Sequence, residues 1–181
     1  MSGFADYEPE TDRRTSGAEV ETRPAKEADL DACARLIVAR TGGSVDGRRR
    51  RLLGDLQDPR RFSAVACVSE EVVGYGGVIW HETTSADPPT TAPTGYYLVG
   101  LIVSSAWRRH GIGELLTIER LRWTAERADT IHYFANLANG PTLDLHARLG
   151  FTELTRDFTF PGNPLKPGTG VLLRAPLKKE H

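Results

Sequence analysis

Between Leu98 and Leu121 the chain passes from an apolar run, through a turn holding two arginines, a histidine and two glycines, into a helical pattern. The run Leu98-Val99-Gly100-Leu101-Ile102-Val103 reads as a buried strand. Arg108, Arg109, His110, Gly111, Ile112 and Gly113 turn the chain, after which Leu115, Leu116, Ile118, Leu121 and Ala125 recur at helical spacing. A helix that starts there points unpaired backbone N–H groups outward, and its dipole adds roughly half a positive charge. Gly111 and Gly113 lack a Cβ, so the backbone can approach a pyrophosphate closely. The stretch therefore predicts a phosphate cradle, the plainer alternative being a tight turn with exposed arginines. It is not a nucleotide P-loop, because no Gly-Lys-Ser/Thr follows. Nor is it the dinucleotide fingerprint, since Leu116 stands where a third glycine is required.

The 181 residues suffice for one domain with its own core, expected over residues 19–178. The 23 basic and 24 acidic side chains nearly cancel, so no overall field favours nucleic acid or membrane. No apolar run approaches the ~20 residues of a membrane span, and the polar, acidic start lacks the apolar segment of a secretory signal. Cys33 and Cys67 stand apart in predicted elements, neither a disulfide framework nor a metal clip. The expectation is a cytoplasmic protein without metal.

In chain order, residues 1 to about 18 read as a disordered acidic tail. A short strand at Val20–Arg23 stops at Pro24, and a helix starting at Asp29 buries Leu30, Cys33, Ala34, Ile37 and Val38 before Gly42-Gly43. A second helix is expected over Gly47–Gln57. It carries Arg48-Arg49-Arg50-Arg51, which reads as a solvated face. Were these arginines functional, they would guard the acceptor entrance and attract an anionic substrate. Phe62–Val68 and Val72–Trp80 form a hairpin, and the glycines of its second strand imply a bulge or a close neighbour. The proline-rich stretch Thr83–Thr94 is a loop leading to the central strand Gly95–Val103. After the central helix, expected over Gly111–Ala128, come a strand at Ile131–Ala135, a helix at Pro141–Leu149 capped by Gly150, and strands at Phe151–Phe160 and Gly170–Leu177. The order is β-α-α-β-β-β-α-β-α-β-β, with a right-handed parallel crossover in the middle.

The turn Arg108-x-x-Gly111-x-Gly113 resembles the acyl-coenzyme A signature of the GNAT superfamily of N-acetyltransferases, [Q/R]-x-x-G-x-[G/A]. Asn139-Gly140-Pro141-Thr142-Leu143-Asp144-Leu145-His146-Ala147-Arg148-Leu149-Gly150-Phe151 is similar to the family's second motif: an asparagine, a helix with a tyrosine seven positions later, and a closing Gly-Phe. The opening Val20–Leu30 and the element order also resemble the family, from Val20 to about Leu177. The resemblance implies an α/β (α+β) GNAT fold. Its mixed central sheet would have about seven strands, with a splayed parallel pair in the middle, flanked by about four helices.

The resemblance also implies transfer of an acetyl group from acetyl-coenzyme A to a primary amine, by direct attack in a ternary complex. Pyrophosphate would lie on the backbone of Arg109, His110, Gly111, Ile112, Gly113 and Glu114 and on the side chains of Arg108 and Arg109. The pantetheine arm would run along Leu101, Ile102 and Val103, with Asn139 on its other side. Glu114 suits the helix dipole but must point away from the ligand. The N–H of Val103 is the implied donor to the thioester oxygen. Where relatives carry a tyrosine that protonates the leaving thiolate, this chain has His146, whose neutral ring still bears one N–H. A packed histidine on the last helix is the other reading. The attacking amine needs a base. Relatives place a glutamate on the central strand, where this chain has Tyr96 and Tyr97, so Glu82 becomes the candidate, with His81 its competitor. The expected acceptor is a small-molecule amine, a protein or peptide amine being the alternative and a non-catalytic acyl-coenzyme A module a third reading. Dimers are common in the family, so the resemblance admits a homodimer, but the sequence does not fix the oligomeric state.

Overall fold

A computed structural model describes residues 18–162 and 165–178. The tail expected over residues 1 to about 18 lies, but for its last residue, outside them. The elements are β1 (Val20–Pro24), α1 (Leu30–Thr41), α2 (Val45–Gln57), β2 (Phe62–Val68), β3 (Glu71–His81), β4 (Gly95–Val103), α3 (Ile112–Ala125), β5 (Thr130–Asn136), α4 (Gly140–Arg148), β6 (Thr152–Thr155) and β7 (Gly170–Pro176). Short 3₁₀ turns occupy Glu27–Asp29 and Ser105–Trp107. The strands form one mixed sheet in the order β1-β2-β3-β4-β5-β7-β6. Its parallel pair is β4–β5, where Tyr97 stands opposite His132. The neighbouring pairs β1–β2, β2–β3, β5–β7 and β6–β7 are antiparallel.

The described chain divides into two compact units, one of residues up to Val78 with Val99–Trp123, the other of Ile79–Leu98 with residues from Thr124 onward. In the first unit, Leu30, Cys33, Ala34, Ile37 and Leu52 of α1 and α2 pack on Val65, Cys67, Tyr75 and Ile102. Both cysteines are free and buried, and burial pushes the Cys33 thiol up to about 12. Arg23 clamps the β1–α1 joint through two bonds to Asp29, of 2.7 and 2.9 Å. The opposite face takes α3. A Cβ added at Gly74 would lie 3.0 Å from Leu116 Cδ1 and 3.1 Å from Ile112 Cγ2, so the glycines of β3 admit a close helix. Phe62 stacks on Trp123 at 5.0 Å between centroids.

Several boundaries differ from the sequence reading, the central helix ending at Ala125 rather than Ala128 among them, and two have a clear local cause. The second helix begins at Val45, because Ser44 caps it by accepting from Gly47 N at 3.2 Å. The strand expected over Phe151–Phe160 ends at Thr155. There the Thr155 hydroxyl accepts from Asp157 N at 3.0 Å and turns the chain. It then runs to the 83–94 loop, where Thr159 N donates to the Thr90 carbonyl (2.8 Å) and Ala92 N donates to the Thr159 carbonyl (2.8 Å). The second unit is thereby clipped loop to loop, beside the aromatic side chains described below.

Candidate active site

The cradle is built in the first unit. Ser104 N donates to the Val73 carbonyl at 2.8 Å, which fixes the end of β4, and the 3₁₀ turn closes with Trp107 N on the Ser104 carbonyl at 2.9 Å. Arg109 (φ 65°) and Gly111 (φ 74°) are both left-handed and swing the backbone round into α3. His110 donates from Nδ1 to the Arg108 carbonyl (2.8 Å), and its ring lies against Trp107. Ile112 is buried beneath the turn, while Arg108, Arg109 and Gly111 are exposed. A Cβ placed on Gly111 would meet nothing within 4 Å, so the space beside its Cα is open. An open left-handed glycine at the N-terminus of a 14-residue helix, flanked by two exposed guanidinium groups, fits a pyrophosphate. Glu114 is half-buried in the helix's first turn.

Arg120 escaped the sequence reading. It is 1% exposed on the inner side of α3. Its guanidinium donates to the carbonyls of Gly77 and Val99 (3.3 Å each), to Leu116 O (3.2 Å) and to the Thr117 hydroxyl (2.9 Å). Gly76 makes room for it, since a Cβ there would sit 3.0 Å from Nε. Val99 precedes Gly100, whose φ is 65°, so the guanidinium holds the central strand next to its left-handed residue.

In the second unit, Asn139 is the N-cap of α4, but its side chain makes no capping hydrogen bond. Its amide is therefore not spent on the helix. His146 is 1% exposed, stacked on Tyr133 at 3.8 Å between centroids and set edge-on to Phe151. Its Nδ1 lies 2.7 Å from the Thr142 carbonyl, which can only accept. The single N–H of a neutral ring is therefore committed to Thr142. A hydrogen bond to a leaving thiolate would require the imidazolium. The Tyr133 phenol, 3.2 Å from the Thr142 hydroxyl, stands beside it. The alternation of β5 carries no sign of that pairing.

His81 closes β3, and Glu82 lies just past it. Glu82 is exposed, whereas His81 is half-buried among rings, edge-on to Tyr97 (5.6 Å) and tilted on Phe160 (4.6 Å). Its Nε2 lies 3.0 Å from the Ala92 carbonyl, so that nitrogen bears the proton and Nδ1 keeps the lone pair. Tyr97 donates its phenol to the Pro93 carbonyl at 2.6 Å and stacks on His132.

His132 is 5% exposed, and its Nδ1 has no hydrogen-bond partner among the described residues. That nitrogen faces Gly95, where a Cβ would sit only 3.1 Å away. Burial, aided by the charges of Arg174 and His81 and opposed by a backbone hydrogen bond at Tyr96, holds the His132 ring below its usual value of 6.5. The unfolded chain thus binds a proton that the folded chain refuses. Stability is complete above about pH 6.5 and declines as pH falls from there toward the lowered folded value. Melting temperatures across that range should slope less steeply for His132→Phe, which keeps a ring against Tyr97, than for the unmodified protein. Equal slopes would mean that His132 does not titrate as the geometry requires.

Among the described residues, no group of three or more His, Cys, Asp or Glu side chains could hold a metal ion, and no helix is long and apolar enough to cross a membrane. No curated protein matches the chain. Solved structures do. A ribosomal-protein-alanine N-acetyltransferase from Brucella melitensis superposes with a TM-score of 0.67 at 22% identity, covering 87% of this chain and 99% of that one. A GNAT-family acetyltransferase from Streptococcus pneumoniae gives 0.66 at 13% identity, covering 88% and 100%. An aminoglycoside 6′-acetyltransferase type Ii gives 0.62 at 18% identity, covering 89% and 99%. At these identities the likeness is one of fold. Residues 28–151 match the acetyltransferase (GNAT) family, a stretch that takes in the central strand, the cradle and α4. The chain belongs to the acetyltransferase (GNAT) family.

Proposed function

We propose that this acetyltransferase passes the acetyl group of acetyl-coenzyme A to the primary amine of a small molecule, by direct attack in a ternary complex. The open, left-handed Gly111 at the head of α3 carries the reading, because it exposes backbone N–H groups where a diphosphate needs them. Bound acetyl-coenzyme A supplies a thioester whose acyl carbon is open to an amine. Arg108, Arg109 and the N–H groups from Arg109 to Glu114 hold its diphosphate. The backbone of Leu101, Ile102 and Val103 orients the pantetheine arm, with Val103 N–H directed at the carbonyl oxygen.

For the base, the geometry favours His81 over Glu82. His81 presents the Nδ1 lone pair among half-buried rings while its Nε2–H is pinned to Ala92, whereas Glu82 faces solvent. Removing a proton from the incoming ammonium falls to that nitrogen. At the other end, His146 keeps its N–H on Thr142, which leaves the neighbouring Tyr133 phenol as the donor to the departing thiolate.

Isothermal titration with acetyl-coenzyme A, followed by coenzyme A release across an amine panel, tests the reading. Saturable binding and turnover on at least one amine are expected. No binding at millimolar concentration would end it, and intact bound acetyl-coenzyme A with every amine would leave a sensing module. Labelled acetyl groups on specific proteins of a lysate would move the acceptor to protein. His81→Gln should lower kcat/KM about 100-fold, the usual scale for loss of a general base, with acetyl-coenzyme A affinity unchanged. If Glu82→Gln shows that loss and His81→Gln does not, the assignment reverses.

A further inference from the structure

We propose that the cavity between the α1–α2 turn and the first turns of α2 binds a small oxyanion, a carboxylate or phosphate group, through Arg48 and Arg51. The four arginines at positions 48–51 are not equivalent. Arg49 is taken by the protein itself, its Nε 2.9 Å from Asp31 and a terminal nitrogen 3.7 Å from Glu27. Arg48 and Arg51, three residues apart and so on one side of the helix, have no salt-bridge partner among the described residues. Both line an open surface depression of about 260 Å³, together with Gly42, Gly43, Ser44 and Gly47, all of them exposed or half-buried. No acidic side chain is in that lining, and the acidic residue of the first turn, Asp46, is not part of it.

Two like charges at this spacing repel, and a helix favours cations at its C-terminal rather than its N-terminal end. Arg48 nevertheless stands at the head of α2, directly after Gly47. An anion between the two guanidinium groups relieves both conflicts, and planar forks match the two oxygens of a carboxylate or phosphate. The depression is open to solvent on the side of Gly42 and Gly43, where an added Cβ would meet nothing within 4 Å. At about 30 Å³ per water the volume takes such a group with several waters.

The oxyanion comes either from the amine acceptor, a source that rests on the function proposed above, or from a separate small anion. The test compares the unmodified protein, R48Q/R51Q and the off-cavity control Arg50→Gln, all checked for equal melting temperature. Inorganic phosphate, titrated calorimetrically, should bind the unmodified protein and Arg50→Gln alike and R48Q/R51Q at least about tenfold more weakly, the scale of one charge-assisted contact. Gly111→Val should retain this phosphate site, which separates it from the cradle. If the acceptor carries the anion, KM for O-phosphoethanolamine rises about tenfold in R48Q/R51Q while KM for ethanolamine and both kcat values stay unchanged. If the anion is separate, phosphate binding is lost and neither amine's KM moves. Phosphate binding that is absent from the unmodified protein, or equal in R48Q/R51Q, overturns the proposal. Failure to bind acetyl-coenzyme A would count against the catalytic reading and leave the phosphate titration standing.

Discussion

Gly111→Val should abolish acetyl-coenzyme A binding on a calorimetric scale, with affinity down at least about 100-fold. Two costs combine. A β-branched residue held at φ 74° is strained by about 1–3 kcal/mol. Its methyl groups would also occupy the open space beside the turn, where the diphosphate is proposed to lie, and displacing two charge-assisted hydrogen bonds of about 1.5–3 kcal/mol each reaches the 100-fold scale alone. Gly111→Asn separates the two causes, because asparagine tolerates the left-handed region yet still fills the space. That variant should melt close to the unmodified protein and bind as poorly as the valine variant. Full affinity in either would place the diphosphate elsewhere.

Arg120→Ala should be the most destabilising single change, at about 3–5 kcal/mol. It strips the carbonyls of Gly77 and Val99 of a buried donor, at about 1–3 kcal/mol for each such group left unpaired, and empties the groove that Gly76 provides. For a chain of this size a loss of that order lowers the melting temperature by about 10 °C. Arg120→Lys keeps the charge but cannot reach both strands and the helix carbonyl of Leu116 with one ammonium, so it should recover only part of the loss. A fall under about 1 kcal/mol for Arg120→Ala would show that water replaces the guanidinium without cost. The readout is reversible urea unfolding followed by fluorescence of the three tryptophans.

What the sequence made legible was short-range. The run from Leu98 to Leu121 declared strand, turn and helix because apolar spacing and two glycines sit in one window. The Asn139–Phe151 motif did the same for α4. Boundaries went astray where a side chain overrode local pattern: Ser44 starts α2 two residues ahead of Gly47, where the sequence pattern begins it, and Thr155 with Asp157 ends β6 halfway along an extended-looking run. The site chemistry was harder. Arg120 looks like any solvent-facing charge in a helix, and only the glycines at positions 74 and 76, two apart on one strand face, hinted that something lies close. The bond from His146 to Thr142 spans four residues and suits helical geometry, yet whether a histidine turns back on its own helix depends on Tyr133, which arrives from another strand. His81 is the last residue of β3 and Glu82 the first beyond it, and which of the two adjacent side chains turns inward is not something sequence alone orients.

The bare Cα at Gly76 ties the history of two distant positions together. A methyl added there would sit 3.0 Å from an arginine already anchored to three backbone carbonyls, so alanine at position 76 requires that side chain to give by a few tenths of an ångström for as long as position 120 stays large. Descendants of this chain leave that pairing most readily in one order: the long side chain shortens first, and the strand fills in afterwards.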